Sequence, residues 1–200
     1  MKKLLVAFCI FSLISCNNNQ KQNESTITDF VEETKIIPED STNKLESKLE
    51  WIAYKFEDKT PVKGQLTEMQ IDYNKKGNTI EEKLSKATFK VNKESVFTDD
   101  EARDHTLKEY FFKKLIGDIH GEVGEMKEGN VEITLNMNDK STSKLFTYTL
   151  EGNQVNFKGE IDIIKDFVAQ TAFDSLHEAC SVHHEGKTWT DVAIEVSITL

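Results

Sequence analysis

The sequence predicts an all-β domain, an antiparallel barrel or sandwich interrupted by two short helices, and three observations carry that prediction. From Leu45 onward, apolar residues recur at every second position in segment after segment, the period of a strand with one face turned inward. Turn-forming residues separate the segments, as in Glu151-Gly152-Asn153. Helical spacing surfaces only twice.

Val62, Gly64 and Leu66 open the alternation, and Met69, Ile71 and Tyr73 continue it in shifted phase. A change of phase is the mark of a bulge, here near Thr67. Ala87, Phe89 and Val91 share a face. Val131, Ile133, Leu135 and Met137 form the cleanest strand. Phe146, Tyr148 and Leu150 run into a hairpin turn and return as Val155, Phe157, Gly159, Ile161 and Ile163. Val192, Ala193, Ile194, Val196, Ile198 and Leu200 close the chain. The stretch Trp51-Ile52-Ala53-Tyr54-Lys55-Phe56 is apolar on both faces and is expected to be covered on both. Seven or eight such strands at short spacing suit a barrel or a sandwich. The first helix is placed near 100–116, where Leu107, Tyr110, Phe111 and Leu115 follow helical spacing. Thr98 and Glu101 have capping-box spacing at its start. A second helix near 172–184 carries Phe173, Leu176 and Cys180 on one stripe.

The N-terminus has a different grammar. Lys2 and Lys3 precede a run that is apolar from Leu4 to Ile14 apart from Ser12. That run covers about 16 Å as a helix, short of a bilayer core of about 30 Å. It has the form of a signal segment. Leu13-Ile14-Ser15-Cys16 resembles the lipobox of bacterial lipoproteins, in which the cysteine is acylated and becomes the first residue. The resemblance implies a leader at 1–15, lipid attachment at Cys16 and an extracytoplasmic, membrane-anchored protein of the cell envelope. Residues 17–44 are mostly polar, with a thin scatter of Ile27, Phe30, Val31, Ile36 and Ile37. They bury too little to offset their ordering entropy and read as a disordered linker, reaching roughly 30 Å as a coil. Residues 45–200 make the one folded domain.

Composition narrows the function. The chain carries a formal charge of −10, and losing Lys2 and Lys3 with the leader takes it to −12. No cluster of Lys and Arg with interleaved aromatics offsets this, so nucleic acid is excluded as a partner. Of three cysteines, Cys9 departs with the leader and Cys16 carries lipid. Cys180 is then the one thiol left, and no internal disulfide can form. No G-x-S-x-G elbow, H-E-x-x-H pair or phosphate loop is present. The chain reads as a binding protein, with no catalytic residues and no required cofactor.

Several segments together resemble the YceI-like family of lipocalin-like barrels. Residues 51–64 (WIAYKFEDKTPVKG) look like its opening hairpin. Ser95-Val96-Phe97-Thr98, Arg103-Asp104-His105-x-Leu107 and Phe111-Phe112 are similar to its most characteristic segment. Gly159-Glu160-Ile161-Asp162, with the Asp-Phe at 166–167, looks like its late strand. Residues 172–187, bearing Cys and His, stand near the place of the family's Arg-Ser-Asp-Phe-Gly segment. The resemblance covers about 50–200 and implies a lipocalin-like barrel holding an apolar or amphiphilic small molecule, such as an isoprenoid or fatty-acid-like lipid. A barrel of eight strands either encloses such a ligand or fills with side chains. The inward candidates are Leu66, Phe89, Ile133, Leu135, Phe146, Tyr148, Phe157, Val192 and Ile194. Carried over from the family motif, Arg103 and Asp104 are rim residues rather than catalysts.

A competing site is legible in the second helix. On a helix, positions 177, 180 and 184 lie within about 60° of one another, so His177, Cys180 and His184 could converge on zinc or copper. Cys180 equally belongs to the apolar stripe of Phe173 and Leu176, where a free thiol behaves as a small hydrophobe.

Overall fold

The computed structural model describes residues 45–183 and 185–200. The leader, Cys16 and the linker to residue 44 lie outside the described residues, as does His184. The strands are β1 (Glu46–Lys55), β2 (Thr60–Leu66), β3 (Met69–Asp72), β4 (Thr88–Val91), β5 (Val96–Phe97), β6 (Ile119–Val123), β7 (Asn130–Met137), β8 (Lys140–Glu151), β9 (Gln154–Asp162) and β10 (Asp191–Thr199). Among the described residues three helices accompany them: α1 (Ile80–Leu84), α2 (Glu101–Tyr110) and α3 (Gln170–Cys180). All pairings are antiparallel, in the order β3-β4-β6-β7-β8-β9-β10-β1-β2-β5.

The change of phase near Thr67 is what lets the sheet curl into a barrel. β2 pairs with β1 through Trp51↔Gly64, and two residues later the same chain, as β3, pairs with β4 through Ile71↔Phe89. One bent strand therefore belongs to both ends of the sheet. At the bend, the Thr67 amide donates to the Ser95 carbonyl at 3.1 Å and the Glu68 amide to Ser95 Oγ at 3.1 Å. These bonds replace the ladder that the bend interrupts.

Three inward glycines control what the inside can hold. A Cβ on Gly64 would lie 2.1 Å from the Trp51 ring, one on Gly121 2.5 Å from Phe89, and one on Gly159 2.5 Å from Phe146. Each ring lies flat across the glycine of the neighbouring strand. β6 was not foreseen because its centre is one of these glycines: in Ile119-His120-Gly121-Glu122-Val123 the alternation lacks its middle apolar residue.

The inner face divides into two buried clusters. One end holds Leu84, Val131, Ile133, Phe146, Tyr148, Val155 and Phe157, with α1 contributing the fully buried Leu84. At the other end Trp51, Leu66, Phe111, Phe112, Leu115, Met137, Ile161, Ile163 and Phe167 gather beneath α2 and α3. Leu150, expected on the inner face, is 42% exposed at the end of β8. Outside β1, coverage is partial: Lys59 Nζ lies 5.4 Å from the Tyr54 ring centre and 4.5 Å from that of Trp189.

The helix starts differ from the expected cap. Asp99 takes a positive φ of 60°, which moves the boundary on, so Asp100 is the N-cap and accepts from the Arg103 amide at 3.0 Å. Thr98 donates to Asp104 Oδ1 at 2.6 Å instead. The Thr-x-x-Glu pattern works at the unforeseen α1, where Thr79 Oγ1 accepts from the Glu82 amide at 3.1 Å. Both expected helices are real but shorter. Each gives way to a 3-10 turn, at Phe112–Lys114 and at Ser181–His183.

Two polar residues fix the end beneath α2 and α3. Asn138 sits in the β7–β8 turn, where it and Asp139 both have φ of 54°, as a tight hairpin turn requires. Its Oδ1 accepts from the Ile116 amide at 3.1 Å, and its Nδ2 donates to the Phe167 carbonyl at 3.1 Å. One side chain thus ties down the turn after α2 and the turn before α3. Asp162, at the end of β9, accepts from the amides of Ile164 at 3.0 Å and Lys165 at 2.8 Å and from the Thr190 hydroxyl at 2.9 Å. Burial opposes its charge, yet these donors and the Lys165 ammonium hold its carboxyl below the usual carboxylate range.

Two outcomes are expected. Gly159→Ala destabilises the domain by about 1–3 kcal/mol through overpacking against Phe146. Adding Phe146→Leu recovers part of the loss, because the obstructing atoms are all from that ring. Urea melts of the single and double variants check this, and simple additivity would refute it. Asp162→Ala lowers stability at pH 7 by about 1.5–3 kcal/mol. A depressed folded-state pKa stabilises above the ordinary value and is lost as pH falls through the folded one. The gap between wild type and variant therefore narrows below about pH 4 in melts across pH.

Candidate functional site

The alternation of β1, β7, β9 and β10 turns one row of side chains inward, and at the end beneath α2 and α3 those rows do not meet. They leave a cavity of about 180 Å³, against the roughly 10–15 Å³ that a single water needs. The flat-lying rings make the room. Trp51 and Phe89 rest on Gly64 and Gly121 and form wall rather than filling.

Each wall has a local origin. β9 and the residue after it present Ile161 and Ile163, two positions apart, held by the bonds of the intervening Asp162. The roof comes from the junctions around the helices: Leu107, Phe111 and Phe112 on one side, Phe167, Phe173 and Leu176 on the other. Phe111 and Phe112 meet edge to face at 5.2 Å, so that successive residues both pack inward.

Among the described residues, none that lines the cavity is ionisable. The polar groups in the wall are Asn136, Thr188 and the indoles of Trp51 and Trp189. Trp189 Nε1 donates to the Phe56 carbonyl at 2.7 Å. Such a surface binds hydrocarbon and rejects ions, since an unpaired charge taken from water into it is strongly penalised.

Five of the inward candidates stand on this cavity: Leu66, Phe89, Leu135, Val192 and Ile194. The other four, Ile133, Phe146, Tyr148 and Phe157, pack in the cluster at the far end, where Tyr148 and Phe157 rings are 6.1 Å apart. Period two assigns a face but carries no information on height along the barrel. The hollow and filled alternatives are both realised, one at each end. Cavity-lining residues that were not among the inward candidates include Trp51, Phe112, Ile161, Ile163 and Phe167. Ile161 and Ile163 were in phase with Phe157. Phe112 and Phe167 lie at strand–helix junctions, where neither period applies.

A second, more polar cleft of about 460 Å³ lies between α2, α3 and β1. Arg103 lines it, with Nη2 3.4 Å from Asp100 Oδ2. Asp104 is engaged by Thr98 and is not part of that lining. Cys180 and His183 also border the cleft. Burial pushes the Cys180 thiol up, which disfavours the thiolate a metal needs. His177 Nδ1 meets Thr188 Oγ1 at 2.9 Å and its ring stacks on Phe173 at 6.1 Å. Among the described residues no group of three His, Cys, Asp or Glu is placed to hold a metal ion. His184 is not among them.

Comparison of the sequence with protein-family models and with curated proteins finds no match. Solved structures do match. The polyisoprenoid binding domain from Saccharophagus degradans implicated in plant cell wall breakdown aligns with a TM-score of 0.56 and 13% identity, covering 76% of this chain and 91% of that one. BcnA of Burkholderia cenocepacia aligns with a TM-score of 0.52 and 12% identity, covering 77% of this chain and 96% of that one. At these identities the likeness is one of fold: the domain is a mostly antiparallel, lipocalin-like barrel, as the YceI-like resemblance implied.

Proposed function

We propose that this chain is a membrane-tethered, extracytoplasmic binding protein that holds an apolar or amphiphilic lipid in the hollow end of its barrel and performs no chemistry. The observation that carries the reading is the uncharged cavity of about 180 Å³ roofed by aromatic residues. Its apolar lining suits a hydrocarbon chain such as that of an isoprenoid or a fatty-acid-like lipid. The fold likeness to a polyisoprenoid binding domain supports the isoprenoid class. The lipobox-like residues 13–16 and the polar stretch 17–44 support the tethered reading. An envelope address places the cavity beside its source of lipid.

Leu135→Trp tests the cavity. Leu135 lines it from β7, opposite Gly121 of β6. A larger ring there is expected to displace lipid while leaving the melting temperature near that of delipidated wild type, which is the proper reference because bound ligand itself stabilises. Organic extraction with mass spectrometry, beside thermal melts, reads both. A loss of about 1–3 kcal/mol with no extractable lipid in either protein would show a close-packed core and end the carrier reading. The anchor has its own test. Cys16→Ser is expected to abolish acylation and leave either unprocessed precursor or unanchored protein; acyl chains still present on the variant would refute the lipobox reading.

A further inference from the structure

We infer that Trp51 is the residue that recognises the head of the ligand, its indole Nε1–H donating to an uncharged oxygen. The ligand class is then an apolar chain ending in a neutral hydrogen-bond acceptor, such as an alcohol. This rests on the cavity reading above.

Trp51 is 8% exposed, and its Nε1 is the one buried side-chain nitrogen or oxygen among the described residues that lacks a hydrogen-bond partner. Buried polar groups in folded proteins are almost always paired, and an orphan is a reason to look for a missing partner. The comparison lies in the same wall. Trp189 also lines the cavity, and its Nε1 is bonded to the Phe56 carbonyl at 2.7 Å. An aromatic cover over Gly64 needs only a ring, which phenylalanine supplies without a donor. The N–H is therefore surplus to packing.

Its position is where a head would sit. Trp51, Ala53, Leu107, Leu176 and Thr188 border both the dry cavity and the polar cleft between α2 and α3. A chain lying in the cavity with its end towards the cleft passes this partition. α2 contributes no fully buried residue and α3 only Ala172. The partition is therefore lightly held on its helical side. An ionised head is disfavoured at this point. Among the described residues the cavity offers no cation, and of the Lys and Arg side chains in the adjoining cleft Arg103 already faces Asp100 at 3.4 Å and Lys55 Nζ lies over the Phe56 ring at 4.9 Å.

The test uses phytol and phytane, a branched alcohol and its parent hydrocarbon, with the delipidated full chain in detergent. Wild type is expected to bind phytol about 5- to 15-fold more tightly than phytane, the worth of one net hydrogen bond. Trp51→Phe is expected to bind both with the phytane affinity of wild type. If Trp51→Phe keeps the preference for phytol, or wild type shows none, the Trp51 assignment is overturned while the cavity reading stands. If neither compound binds wild type, both fall. Should the variant fail to fold, the two indole N–H proton resonances of wild type decide the matter. That of Trp51 is expected to move with phytol and not with phytane, while that of Trp189 stays. A Trp51 resonance indifferent to phytol overturns the assignment.

Discussion

The structure depends on aromatic rings lying flat over glycines in the strands beside them. Trp51 over Gly64, Phe89 over Gly121 and Phe146 over Gly159 use the same device at three places on the inner wall. A ring on an ordinary strand neighbour would have to stand away from the sheet and fill the centre. With no Cβ beneath it, the ring settles onto the backbone, and the sheet gains apolar contact without losing interior space. At the hollow end the Trp51 and Phe89 pairs form cavity wall, while the Phe146 pair belongs to the packed end. Gly64 and Gly121 are as much part of the cavity wall as the residues that face it.

Why one end is hollow and the other solid follows from what is added to those pairs. At the solid end Leu84 of α1 enters from below and Tyr148, Phe157, Val131 and Val155 close around it. The hollow end receives no such plug. Its helices lie across the opening and are fastened by their flanking turns, with Phe112 and Phe167 buried and Asn138 bonded to the chain beyond each. The helices themselves stay half-exposed. A roof anchored at its edges preserves the space beneath it.

Much of the fold was legible because it rests on period two, which any half-buried strand must show. The shifted phase near Thr67 even located the bend that joins the ends of the sheet. Where reading failed, a residue had left the period for a physical reason. β6 was missed because Gly121 stands where an apolar residue should: a Cβ there would lie 2.2 Å from the Thr134 carbonyl oxygen and 2.5 Å from the Phe89 ring. The cap at Thr98 was misplaced because Asp99 adopts a positive φ that spacing alone does not reveal. For the site, alternation grouped Leu66, Phe89, Leu135, Val192 and Ile194, which line the cavity, with four residues that pack at the far end. Height along a barrel depends on strand stagger, which pairing fixes and a single strand does not display.

These features also bound how selective the site can be. Hydrophobic burial is non-directional, so a wall of aliphatic and aromatic carbon ranks ligands mainly by the apolar area they bring. Discrimination between chains of equal length must come from directional groups, and the cavity has few. Asn136, Thr188 and two indoles are its whole polar complement. The Trp189 indole is spent on Phe56 and the Thr188 hydroxyl on His177. A donor held at the edge of the cavity costs stability in the empty protein and returns it when a matching acceptor arrives, so its effect falls on the difference between ligands rather than on their shared affinity. Selectivity in this barrel is then a property of its rim, where apolar wall gives way to the cleft, and capacity a property of the glycines that keep its centre open.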